Sequence, residues 1–151
     1  MKRVNVFDDL PAEGERRFGD DLGSTQWGGT VYELAPGKRI CAYHWHFGEE
    51  EWVLVLAGAP TVRTPEGERT LQPWDVAAFL TGEQGAHEVR NDTAEIVRVM
   101  MFSTASDPEV CVYPDSGKIG VFAGWSRKDG QKVTLMNRPE ANLDYWDGEE
   151  E

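Results

Sequence analysis

The chain has 151 residues, 40% hydrophobic and 11% aromatic, a composition that fits one folded domain and excludes a disordered segment. Its net charge of −12 and pI of about 4.6 argue against nucleic acid or an anionic membrane as partner, because such binding relies on Lys and Arg neutralising phosphates. At this length about 68–70% of the unfolded surface can be buried, enough for a real core.

Residues 1–29 are polar and rich in glycine, and read as an irregular lead-in with one short edge strand at 4–7. Met1, Lys2 and Arg3 precede no apolar run, so no secretory signal is expected. From Thr30 onward the chain is a series of short β-type runs cut by turn residues. These runs cover 30–35, 40–46, 51–56, 61–64, 69–71, 76–80, 87–90 and 96–102. Pro36-Gly37, Gly58, Pro65-Glu66-Gly67, Pro73, Gly82 and Asn91-Asp92 punctuate them. Many short strands with regular turn signals predict a sandwich or barrel. No run keeps a 3.6-residue apolar period for ten residues, so any helix is short. The longest apolar run, 52–59, is far below the roughly 20 residues of a membrane span.

Residues 104–151 read as an extension packed on the same domain. They hold a further strand at 107–113 and a basic segment with Lys118, Arg127, Lys128 and Lys132, which reads as a solvated loop or hairpin. The tail carries Tyr145 and Trp146, suited to pinning it to the body or to a second subunit, and three terminal glutamates that should fray. Cys41 and Cys111 are too few for a disulfide framework and read as two thiols in a reducing cytoplasm. A redox or ligand role for Cys41, three residues before His44, is the alternative.

The chain has only three histidines. His44 and His46 are two apart, so on a strand they face the same way, about 7 Å apart along it. Phe47-Gly48 can turn the chain back, and Glu51 then begins an antiparallel strand with its carboxylate toward the same point. His87, from a distant strand, completes three nitrogens and one oxygen. Such a set leaves coordination positions open for water or substrate, and suits Zn, Fe, Mn, Ni or Co. A His-x-His pair alone is common, and a run such as Glu49-Glu50-Glu51 is usually a solvated turn; the combination is what points to one divalent ion per chain. In an unbroken strand Cys41 faces away from His44. By strand parity Ile40, Ala42, Val53, Val55, Val89 and Asn91 line the pocket, a small apolar set with no evident second acid or base. Tyr43, Trp45, Trp52 and Leu54 fall on the opposite face.

Gly37, His44, His46, Glu51 and Gly58 stand in a pattern that resembles the first motif of the cupin superfamily, with one extra residue before His44. Gly82, His87 and Asn91 resemble the second, with two extra residues before His87. Trp74 stands where that motif has glycine, and Leu80 where it has proline. The resemblance spans residues 30–102. Gly85 to Thr93, Tyr113 to Lys118 and Tyr145 to Glu149 also resemble small single-domain bacterial cupins of no agreed activity.

The resemblance implies an all-β double-stranded β-helix, or jelly-roll barrel, over 30–103 with irregular terminal extensions. It implies a metal in the barrel mouth held by His44, His46, Glu51 and His87, and a homodimer. The expectation is a metal-dependent oxygenase, isomerase or lyase acting on a small organic molecule. The alternative is a non-catalytic binding or sensing module whose metal is structural or orients a ligand. No DNA-binding segment is evident in support of the sensor.

Overall fold

A computed structural model describes residues 1–124 and 131–149. Twelve strands are present among them: β1 Glu15–Arg17, β2 Trp27–Leu34, β3 Trp45–His46, β4 Glu51–Ala57, β5 Thr61–Thr64, β6 Gly67–Thr70, β7 Val76–Phe79, β8 Glu88–Arg90, β9 Val97–Thr104, β10 Glu109–Tyr113, β11 Lys118–Ala123 and β12 Val133–Asn137. One helical turn, α1 Gly19–Leu22, joins β1 to β2. All pairings between them are antiparallel.

One layer is a five-stranded sheet in the order β1-β2-β9-β4-β7. Facing it are a four-stranded sheet, β12-β11-β10-β3, and a three-stranded sheet, β6-β5-β8. The non-sequential order, with β9 between β2 and β4, is that of a jelly roll. Alternation builds the core: β4 turns Val53 and Val55 inward, and β9 turns Val97, Val99 and Met101 inward. Leu34, Val62, Phe79 and Val89 meet them from β2, β5, β7 and β8. Gly58 ends β4 at φ 77°, and a Cβ there would lie 2.8 Å from a Val97 methyl, so the turn takes only glycine.

Two expectations are corrected. Residues 4–7 form no strand: Asn5 accepts the Phe7 N–H at 3.1 Å, and this turn overrides the β-forming valines. The expected strand over 40–46 reduces to Trp45–His46. That segment bridges between sheets. Arg39 pairs with Arg90, His44 pairs with His87, and His46 then pairs with Cys111 of β10. Between those anchors residues 40–43 cross over and lose strand parity.

The lead-in is more ordered than expected, since β1 pairs with β2 along Glu15–Arg17. Lys118 of the basic segment opens β11, which pairs with β12, and its Nζ lies 5.3 Å above the Tyr113 ring. Arg127, Lys128 and the last two glutamates lie outside the described residues. Tyr145 and Trp146 meet edge to face with ring centroids 5.1 Å apart but are 84% and 54% exposed, so the body does not hold them.

Candidate metal centre

β3 presents His46, the start of β4 presents Glu51, and the isolated His44–His87 bridge presents the other two imidazoles. His44 and His87 exchange two backbone hydrogen bonds, of 3.1 and 2.8 Å, so the two residues form one rung. All four groups converge. Glu51 Oε2 lies 2.9 Å from His87 Nε2, 3.2 Å from His46 Nε2 and 3.9 Å from His44 Nε2. His44, His46 and Glu51 form a mutually close set, and His87 joins it through Glu51. The His87 side chain is 1% exposed and that of Glu51 19%, so solvent reaches the cluster on the carboxylate side.

Each ring is held. Phe79 stacks on His87 with centroids 3.9 Å apart and planes 9° apart. Tyr113 stacks on His44 at 5.7 Å. His44 Nδ1 donates to the carbonyl of Ala42, and His87 Nδ1 to that of Gly85, both at 2.9 Å. A proton on Nδ1 leaves the Nε2 lone pair free and aimed at Glu51.

These atoms fit a bound cation. His44 Nε2 and His46 Nε2 face each other at 2.9 Å. Two lone pairs do not approach so closely without a proton or a metal ion between them. Nitrogen ligands about 2.1 Å from one ion at right angles are about 3 Å apart. His87 Nε2 is buried and, lying off the line to Glu51, has no hydrogen-bond partner. Without an ion a proton fills the gap. Burial opposes a charge on His46, but hydrogen bonds to Cys111 and Glu51 outweigh it and hold this imidazole up to about 11. Burial, then the neighbouring His87 and His46, push His44 down to about 4. Burial alone would raise Glu51, yet the hydrogen bond from His46 and the His87 imidazole beside it hold it well below the usual carboxylate range.

The other residues expected around the site divide. Val53, Val55 and Val89 are fully buried behind the histidines, and Ile40 packs against the same core. Ala42 is exposed. Asn91 is buried, and its side chain clamps a turn by donating to Leu34 and Glu95 and accepting from Thr93. Cys41 does not face away: its Sγ lies 3.5 Å from His44 Nδ1, and burial pushes its thiol up to about 12.

Polar groups that parity over three strands overlooked come from the five-stranded sheet. A cavity of about 320 Å³ is lined by Thr30, Tyr32, Ser103, Glu49, Arg17 and Ser106, with Trp27 at one wall. Ser103 is the cross-strand partner of Glu51, which brings this cavity beside the histidines. Burial, then the Glu15 carboxylate, push Tyr32 up to about 12, so it is a neutral hydroxyl donor. Burial raises Glu49 to about 7. Thr30 and Tyr32 lie two apart on β2, a period-two signal present in the sequence.

The cupin domain family matches residues 30–103 of this chain. A cupin-superfamily sugar phosphate isomerase from Silicibacter pomeroyi superposes with a TM-score of 0.75 at 24% identity, over 92% of this chain and 89% of that one. A protein from Acidithiobacillus ferrooxidans, provisionally described as a sugar phosphate isomerase, gives 0.68 at 27% identity, over 80% and 74%. The polyketide cyclase RemF from Streptomyces resistomycificus gives 0.57 at 20% identity, over 70% and 80%. No curated protein matches the chain.

Proposed function

We propose, from the premise that this chain belongs to the cupin superfamily, that it is a metal-dependent enzyme acting on a small hydroxylated organic molecule. The observation that carries this reading is the 2.9 Å approach of His44 Nε2 to His46 Nε2 beside Glu51. His44, His46, Glu51 and His87 would hold one divalent transition ion. An ion bound there supplies Lewis-acid polarisation of a substrate oxygen.

The chain's own residues supply the rest. Thr30, Tyr32 and Ser103 offer hydroxyls along one wall of the adjoining cavity. Glu49 and Arg17 offer an acceptor and a cation. That lining suits a molecule with several hydroxyl or carbonyl oxygens and supports isomerase or lyase chemistry above oxygenation of an apolar substrate. The Acidithiobacillus relative's description points the same way.

The test begins with elemental analysis of native and metal-reconstituted protein. Close to one transition ion per chain is expected, and His46→Ala should lose it. No metal after reconstitution at neutral pH defeats the reading. The loaded protein is then incubated with aldoses, ketoses and their phosphates in deuterated water and followed by NMR. Deuterium exchange or interconversion supports the enzyme. Saturable binding without turnover favours the non-catalytic module instead.

A further inference from the structure

We infer that Glu109 and Cys111 of β10 are positioning residues for the metal, acting through the outer nitrogen of His46. This rests on the metal-site reading above. The argument starts from what orients each imidazole. His44 and His87 each give Nδ1–H to the carbonyl two residues earlier, Ala42 and Gly85. His46 does not do the same: the carbonyl two residues before it, that of His44, takes the His87 N–H, and the outer nitrogen of His46 faces β10. That nitrogen is satisfied from another strand.

β10 supplies that partner. Cys111 is the register partner of His46, and its Sγ lies 3.3 Å from His46 Nδ1. Glu109, two residues earlier on the same face, brings Oε1 to 3.4 Å from the same nitrogen. Tyr113, two residues later, stacks on His44, so alternate residues of one strand back both histidines of the pair. Glu109 is 5% exposed and Cys111 4%. Oε1 of Glu109 is tethered by the Gly48 N–H at 3.3 Å, and Oε2 is buried with no partner. A Cβ on Gly48 would stand 2.8 Å from that Oε2, so glycine is what lets the carboxylate approach.

A buried carboxylate beside a ligating imidazole fixes its tautomer and raises the basicity of the other nitrogen. The Gly48 N–H offsets part of the desolvation of Glu109, and the His46 imidazole, 3.4 Å from the same oxygen, is the cationic partner within reach. His46, Glu109 and Cys111 also form a second set of close donors. An ion there would require His46 to give up both ring protons, whereas a single ion on Nε2 leaves the Nδ1 proton for β10.

The experiment measures Co²⁺ affinity by chelator competition, with the visible spectrum of the loaded protein and thermal unfolding of the metal-free form. Glu109→Gln should bind about 10–100-fold more weakly, shift the Co²⁺ spectrum and leave metal-free unfolding nearly unchanged. Val110→Ala, on the opposite face of β10, should bind like wild type. If Glu109→Gln does not fold, Cys111→Ala makes the same test, with weakened binding expected. Wild-type affinity in a folded Glu109 or Cys111 variant overturns the inference, as does equal weakening in Val110→Ala. Two ions per chain, one lost in Glu109→Gln, also overturn it and assign a second metal site. Wild type that binds no Co²⁺ fails at the earlier step and defeats the metal site itself.

Discussion

Trp74 shows how one residue departs from its motif without changing the backbone. It stands where the related pattern has glycine and keeps the left-handed conformation, at φ 76°. Its indole is 74% exposed, so packing returns little for that strain. We predict that Trp74→Gly stabilises the protein by about 1 kcal/mol, raising the unfolding temperature by roughly 2–4 °C. Calorimetry at matched metal content checks this, and an unchanged or lower midpoint refutes it. The substitution was legible in the sequence as a mismatch, and the structure supplies its physical meaning. Cys41 was not legible. Its placement followed from treating 40–46 as one strand, and parity has no meaning across a segment that changes partners.

Between elements, the β8 arginine is a junction. Arg90 contacts Glu68 of β6 at 2.7 Å, Asp92 at 2.9 Å and Glu88 at 3.3 Å. Glu88 is 4% exposed, and the other cation it meets is Arg39 at 2.9 Å. Removing Arg90 leaves a buried carboxylate with half its compensation. Arg90→Leu should cost about 1–3 kcal/mol, read from urea unfolding, whereas Arg69→Leu, on an exposed pair, should cost under about 1 kcal/mol. Equal losses would show that the Glu88 side of the network contributes nothing. The strands that sequence located best, β4 and β9, alternate through Val53, Val55, Val99 and Met101, with one bulge between Val55 and Ala57. The role of β10 was hidden for a different reason. Glu109, Cys111 and Tyr113 have the right spacing, but only the pairing of Cys111 with His46 gives that spacing a target.

Across the whole molecule the four candidate ligands come from both layers: Glu51 from the five-stranded sheet, His46 from the four-stranded one, and the His44–His87 rung between. An ion shared by them should tie the layers together. Metal at about 100 times its dissociation constant would add about 2.7 kcal/mol, so chelation should lower the midpoint by roughly 5–11 °C. The sign with pH follows from competition. Imidazole must be neutral to bind, and metal-free His46 keeps its proton up to about 11, so metal must displace that proton and binding weakens steadily as pH falls, more steeply near 4 where His44 also charges. The difference in midpoint between loaded and chelated protein should therefore be larger at pH 7.5 than at pH 5. A difference independent of pH would mean that histidines are not the ligands. Among the described residues no helix is long and apolar enough to cross a membrane, and the chain's −12 charge disfavours anionic surfaces.

The mutual backbone bonds of His44 and His87 bear on time as well as geometry. Two imidazoles that share a rung cannot be carried away one after the other by backbone motion, as ligands on separate loops can. An ion held by them would lose both nitrogens to backbone motion only when the rung parts; otherwise each ring must rotate away by itself, toward the partly exposed carboxylate. The rung thus removes one route of exchange, and the site would exchange its metal more slowly than one whose ligands sit on separate loops.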